Sequence, residues 1–212
     1  MPALKLIIAT PSPFARKARV ALLEKGLEFT VEVDNPWISG ASIAPHNPLK
    51  KVPVLVTPDD GAIFDSRLII EYVEAKWPRP RLLPAAPLAR VAAHQVEVIA
   101  DGVCDAVVLI VLERARPPQL QSRDWIARQM AKVLAGVDEA ARRLAGGPWF
   151  AAGGFGLADI AVGCMLGYLD LRLPEFPWRE RAPSLDVLFG KLSLRDSFLA
   201  TQPSAQPLAA VR

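Results

Sequence analysis

Long uninterrupted apolar runs are missing from this 212-residue chain. The longest, Val103 to Leu112, is broken by Asp105 and is too short to cross a bilayer as a helix, so no membrane association is expected. Cysteine is scarce, with only Cys104 and Cys164. Both lie in apolar helical patterns, which fits buried thiols in a reducing compartment better than a disulfide framework. The opening residues MPALKLIIAT offer neither a full signal-peptide apolar region nor a small-residue cleavage site, so a cytoplasmic location is expected. The two histidines, His46 and His94, are isolated, there is no CxxC, and no metal site is expected. GxSxG, P-loop and GxGxxG patterns are absent as well. The net charge is only +3, with no Lys/Arg stripe carrying interleaved aromatics. That balance suits a small anionic ligand and not nucleic acid.

What is present is a globular composition, 51% apolar and 22% charged. The first part alternates in type. Leu4–Ala9 reads as a buried strand, and Pro13–Lys25 as a helix ended by Gly26. Phe29–Val33 reads as a strand, 35–49 as an irregular link, and Val52–Val56 as a further strand. A turn at Asp59-Asp60-Gly61 leads to a return strand over 62–64 and a helix over 66–77. Four prolines in PRPRLLPAAP then exclude regular structure and mark a linker. Everything beyond is helical in pattern: 88–114, 123–144, 157–171 and 184–194. The tail TQPSAQPLAAVR reads as frayed. The expected organisation is an α/β domain over 1–77, a linker over 78–87 and an all-α domain over 88–212.

Several constellations could carry chemistry. Ser12-Pro13 is a common helix start, Ser as N-cap and Pro at the first helical position. Arg16, Lys17 and Arg19 crowd the first turns and oppose the helix dipole, at a few tenths of a kcal/mol each. A hydroxyl at a helix N-terminus beside a strand end describes an anion site in an α/β fold. A solvated face is the plain alternative for the cations, above all Lys17. In NPLKKVPVLV, Pro53 argues for an edge or a bend. A cis Val52-Pro53 bond would turn the Val52 main chain outward to pair with an extended peptide. Ser66 reads as the cap of the following helix, with Asp65 at its positive pole. Together they could equally hold a carboxylate and an ammonium. Asp101 and Asp105, four apart, share a helix face and require partners or solvent. Gly156-Leu157-Ala158-Asp159 has the shape of a capping box and reads as structural.

In this order and spacing, SPFARKARVALLEKGL, NPLKKVPVLV, FDS and ADGVCDA resemble the cytosolic glutathione transferases over nearly the whole chain. The resemblance implies a thioredoxin-like N-terminal domain followed by an all-α helical bundle, usually as a homodimer. It implies an enzyme that activates the thiol of glutathione as thiolate for attack on a hydrophobic electrophile. A glutathione-dependent isomerase or peroxidase, or a non-catalytic binding protein of the same fold, remains the alternative.

Carried over by resemblance, Ser12 is the catalytic residue, donating a hydrogen bond to the glutathione sulfur. A free thiol titrates at about 8.5, and lowering it by about two units corresponds to about 2.7 kcal/mol of preferential thiolate binding. Val52 pairs main chain to main chain with the cysteinyl part, and Pro53 is expected cis. Asp65 and Ser66 hold the γ-glutamyl end and Lys51 the glycyl end. Asp105 reaches the γ-glutamyl amine of the ligand in the neighbouring subunit. Ala9, Pro11, Phe14, Cys104 and Val108 line the electrophile pocket, with Trp178 as a lid. Ser in place of Cys at position 12 argues against mixed-disulfide reductase chemistry. PSPF in place of an SSCS-type signature argues against a zeta-type isomerase.

Overall fold

A computed structural model of the chain describes residues 4–38 and 42–206. The chain divides between Leu82 and Leu83, inside the proline-rich stretch, and residues 195–206 return to the first unit. Reading along the sequence placed that return in the helical domain.

In the first unit, β1 (Leu4–Ile8) is the centre of the fold because both of its faces can be buried. Leu6 and Ile8 point to one side, where α1 (Pro13–Glu24) supplies Ala15, Ala18 and Leu22 and α2 (Ser66–Lys76) supplies Ile69 and Val73. Ile7 points to the other side, against Ile43 and Val54. This is the period-two consequence of the pleat. The remaining strands are β2 (Phe29–Val33), β3 (Val54–Thr57) and β4 (Gly61–Ile63), in the sheet order β2-β1-β3-β4. β1 and β2 are parallel, while β1–β3 and β3–β4 are antiparallel. Helix α1 stops where expected. Gly26 takes φ +66°, its N–H bonds Leu23 O at 2.9 Å, and the Leu27 N–H bonds Leu22 O at 3.1 Å. That pair of bonds is a Schellman motif, which needs a residue tolerant of positive φ.

The second unit is helical: α3 (Pro87–Arg114), α4 (Arg123–Leu144), α5 (Leu157–Arg172), α6 (Trp178–Arg181) and α7 (Pro183–Ser193). Helix α3 packs against both α4 and α5. The approach to α4 is close, since a Cβ added at Gly136 would overlap Val103 Cγ2. Residues 157–169 of α5 are all buried, as befits a helix apolar on every side. Its capping box forms as the sequence reads: the enclosed Asp159 carboxylate accepts the Gly156 N–H at 2.9 Å and the Phe150 N–H at 3.1 Å. Among the described residues no helix is long and apolar enough to cross a membrane.

The short helix α8 (Asp196–Leu199) belongs with the first unit and packs on α1. This contact corrects two expectations. The α1 cations do not form a solvated face, for Lys17 is only 1% exposed and Arg16 is buried. Arg16 stacks 5.1 Å from the centre of the Phe198 ring and donates to Phe198 O at 3.3 Å and Thr201 Oγ1 at 3.4 Å. Arg19 donates to Ala200 O at 3.2 Å. These guanidinium groups serve the carbonyl end of α8, where positive charge is favourable, so their position at the wrong pole of α1 is offset elsewhere. Burial, reinforced by the neighbouring Arg16 charge, lowers the pKa of Arg19. Nor is the tail frayed through its described length, since Thr201 is buried and contacts continue to Gln206.

Candidate functional site

Ser12 follows β1 and caps α1. Its N–H bonds Ala9 O at 3.0 Å, and its carbonyl accepts the Arg16 N–H at 2.9 Å, the first bond of the helix. Its Oγ accepts the Ala15 N–H at 3.2 Å. A hydroxyl that accepts one bond still carries a proton to donate, so capping and ligand binding use different valences of the same oxygen.

Pairing brings further predicted residues to this end of the sheet. Because β3 runs antiparallel to β1, with Ile7 opposite Val54, the start of β3 lies at the carboxyl end of β1. Because β4 runs antiparallel to β3, with Leu55 opposite Ile63, the end of β4 lies there too. Val52-Pro53, just ahead of β3, and Asp65-Ser66, just beyond β4, therefore stand at the same sheet end as Ser12. The Val52–Pro53 peptide is cis, and the β1–β3 ladder stops at Val54, two residues past Val52.

At α2 the capping roles are exchanged relative to expectation. Asp65, not Ser66, is the N-cap, its Oδ1 accepting the Arg67 N–H at 2.9 Å and the Leu68 N–H at 3.5 Å. Ser66 occupies the first helical position and is buried, with Asp65 exposed before it. Both residues are good caps in isolation, so nothing local chooses between them. Lys51 is exposed in the loop before β3, and Ala9, Pro11 and Phe14 surround Ser12 along the chain.

Two polar residues that shape this end went unread in the sequence. Asn47 is buried, donates to Lys51 O at 2.8 Å and accepts the Leu49 N–H at 3.0 Å, while Lys50 takes φ 52° between them. The Asn47-Pro48 pair was the available signal, as Asn commonly bonds the backbone two residues on. Asp34, directly after β2, accepts N–H bonds from Asn35 at 2.7 Å and Ile43 at 2.9 Å. Its partners lie up to nine residues away, and no spacing in the sequence announces them.

In the helical unit Asp105 is exposed on α3, Val108 half-buried and Cys104 buried. Asp101 is buried, so the two acids expected to share one environment occupy two. The exposed stripe of α3 is apolar or small at Val91, Val98, Gly102 and Leu109, with Asp105 among them. Trp178 is 1% exposed. Its N–H bonds Asp170 at 2.8 Å, Phe189 meets its ring edge-on at 5.7 Å, and Arg179 stacks 4.3 Å from it. A ring enclosed in this way belongs to the helical core, which corrects the expectation of a lid.

Two family models match this chain. The glutathione S-transferase N-terminal domain covers residues 11–76 and the glutathione S-transferase C-terminal domain covers 123–186. The chain is 38% identical over 200 residues to the uncharacterized GST-like protein YibF of Escherichia coli K12, spanning 94% of this chain and 98% of that protein. A glutathione S-transferase from Methylobacterium radiotolerans, solved in complex with glutathione sulfonate, superposes with a TM-score of 0.94 at 45% identity, covering 97% of each chain. One from Methylobacillus flagellatus, solved with glutathione bound, gives 0.91 at 38% identity, covering 95% of this chain and all of that one.

Proposed function

Because this chain belongs to the glutathione S-transferase family, we propose that it binds glutathione at the Ser12 end of the sheet and activates its thiol for attack on a hydrophobic electrophile. The observation that carries this reading is the topological meeting of Ser12, Val52-Pro53 and Asp65-Ser66 at one end of the sheet. Glutathione bound in two solved relatives supports it.

In this reading the Ser12 hydroxyl donates to the glutathione sulfur while its lone pair keeps the Ala15 N–H. The positive pole of α1 adds to the preference for thiolate. The thiol proton leaves to solvent, the sulfur forms a bond to the electrophilic carbon, and the leaving group departs with its electron pair. Val52 pairs with the cysteinyl backbone, the Ser66 hydroxyl and N–H take the γ-glutamyl carboxylate, and the Asp65 oxygen outside its cap takes the ammonium. Lys51 takes the glycyl end.

The exposed apolar stripe of α3 fits a homodimer, in which Asp105 would reach the γ-glutamyl amine in the other subunit. Two buried, unbridged cysteines fit a reducing, cytoplasmic setting, and conjugation of a hydrophobic electrophile would serve detoxification.

The test compares the parent with Ser12→Ala for retention on immobilised glutathione, for the pH midpoint of bound thiolate, and for conjugation rate. Retention persists in the variant, the midpoint rises by about two units and turnover falls about a hundredfold. An unchanged midpoint with full turnover removes Ser12 from the reaction. A parent that neither binds glutathione nor conjugates is a binding module instead.

A further inference from the structure

The main chain at Val52 is open. Its N–H and C=O take no main-chain partner among the described residues, and the ladder with β1 begins only at Val54. The peptide unit that carries this N–H is nevertheless pinned from its other side. The Val52 N–H shares a plane with the Lys51 carbonyl, and that carbonyl accepts a bond from Asn47 Nδ2 at 2.8 Å. Lys51–Val52 is not one of the cis bonds of the chain, and in a trans unit the C=O and N–H point in opposite directions. With its oxygen bound to Asn47, the unit turns the Val52 N–H away from Asn47. A carbonyl that accepts a bond also polarises its own unit, which strengthens the N–H as a donor.

Asn47 is itself held on every side. Its side chain is enclosed, and its Oδ1 accepts the Leu49 N–H at 3.0 Å. A carboxamide turned the other way would set donor against donor and acceptor against acceptor, so only one orientation satisfies both ends. The Asn47 N–H bonds Ile43 O at 2.9 Å, and the Asn47 carbonyl accepts the Lys50 N–H at 2.9 Å. Ile43 is fully buried against Ile7 and Val54, a paired couple of β1 and β3, and its N–H bonds Asp34 Oδ2 at 2.9 Å. A continuous set of bonds therefore runs from the end of β2 through Ile43 and Asn47 to the peptide ahead of Val52.

We propose that Asn47 is a positioning residue for the ligand: it presets the Lys51–Val52 peptide, so that the Val52 N–H is aimed before anything binds. The proposal rests on the glutathione transferase reading for the acceptor, the cysteinyl carbonyl of glutathione. The preset peptide stands without it. Asn47 touches no reacting atom, so it acts on the affinity for glutathione and leaves the thiol–thiolate balance to Ser12. A donor aimed in advance spares the ordering cost of binding.

The test uses the full chain with Asn47→Asp and Asn47→Ala. The Asp variant keeps the size of the side chain and the acceptor for Leu49, and loses only the donation to Lys51 O. The Ala variant frees the same carbonyl without adding a charge. In titrations with glutathione, both variants raise Kd about tenfold, the worth of one well-placed hydrogen bond. The pH midpoint of the bound thiolate stays where it is in the parent, in contrast to Ser12→Ala.

The peptide itself can be watched. Lysine labelled with 13C at its carbonyl and valine labelled with 15N give two linked signals, because Lys51-Val52 and Lys132-Val133 are the two Lys-Val pairs of the sequence. Val133 lies inside α4 and reports on the fold. Without ligand, both variants move the Lys51 carbonyl signal upfield and leave the Lys132-Val133 signal in place. An unmoved Lys51-Val52 signal overturns the preset peptide, and so does parental affinity in Asn47→Ala. A shifted signal in a chain whose parent binds no glutathione keeps the preset peptide and removes the transferase reading.

Discussion

Arg195 holds Glu24 through two parallel bonds, Nε to Oε1 at 2.8 Å and Nη2 to Oε2 at 2.6 Å, across 171 positions of sequence. The pair joins the last turn of α1 to the segment that returns from the helical unit. It fixes the start of the C-terminal segment against the first unit.

The pair gives the fold an acid-sensitive seam. Burial of Glu24 favours its neutral form, but the bonds from Arg195 and Ser197 outweigh this and hold its carboxyl below the usual range. A carboxyl depressed in the folded state stabilises fully above its unfolded value of about 4.3, and the benefit fades as pH falls through the folded value. Glu24→Gln should cost roughly 1–3 kcal/mol at neutral pH and lose less stability than the parent between about pH 5 and pH 3. Urea unfolding across that range measures both, and parallel curves would show that Glu24 carries no linkage.

The α3–α4 crossing depends on a missing side chain. Ala is ordinarily better than Gly inside a helix by about 1 kcal/mol. At Gly136, however, the added Cβ meets Val103 Cγ2, so Gly136→Ala should destabilise by roughly 1–3 kcal/mol. Adding Val103→Ala should recover part of that loss in thermal unfolding. A Gly136→Ala chain as stable as the parent would mean the helices have room to separate.

Tyr168 should resist ionisation. Burial in α5 is the main cause of a hydroxyl pushed up to about 12, partly opposed by the Arg172 charge and assisted by Cys104. Tyr72→Phe leaves Tyr168 as the one tyrosine in the chain. Tyrosinate absorbance of that variant should stay flat through about pH 10, where an exposed tyrosine is half ionised. Since the folded value is raised, the stability linked to this group is full below about 10 and is lost as pH rises toward 12. A midpoint at the ordinary value in the folded chain would place Tyr168 in solvent.

Much of this architecture was legible in order of appearance. The apolar run LKLII, the Ser12-Pro13 cap, Gly26 as helix stop, the Gly61 turn and the Gly156–Asp159 box are local signals, each acting within a few residues. The structure places their elements within a residue or two of expectation. The short helices α6 and α8 escaped notice, because four residues cannot display a period. The cap of α2 was misassigned between two adjacent residues that both accept N–H bonds well.

The sequence by itself therefore determined the elements, their succession and the chemical character of the residues at their ends. Those properties follow from backbone sterics and bonds closed over one turn of chain. Only the tertiary structure decided that Ser12, Val52-Pro53 and Asp65-Ser66 share one end of the sheet, because that depends on strand direction and register among segments up to fifty residues apart. It also decided what Arg16 and Arg19 are for. A cation at the wrong pole of its own helix is a small local cost, and its compensation lies in a segment about 185 positions further along the chain.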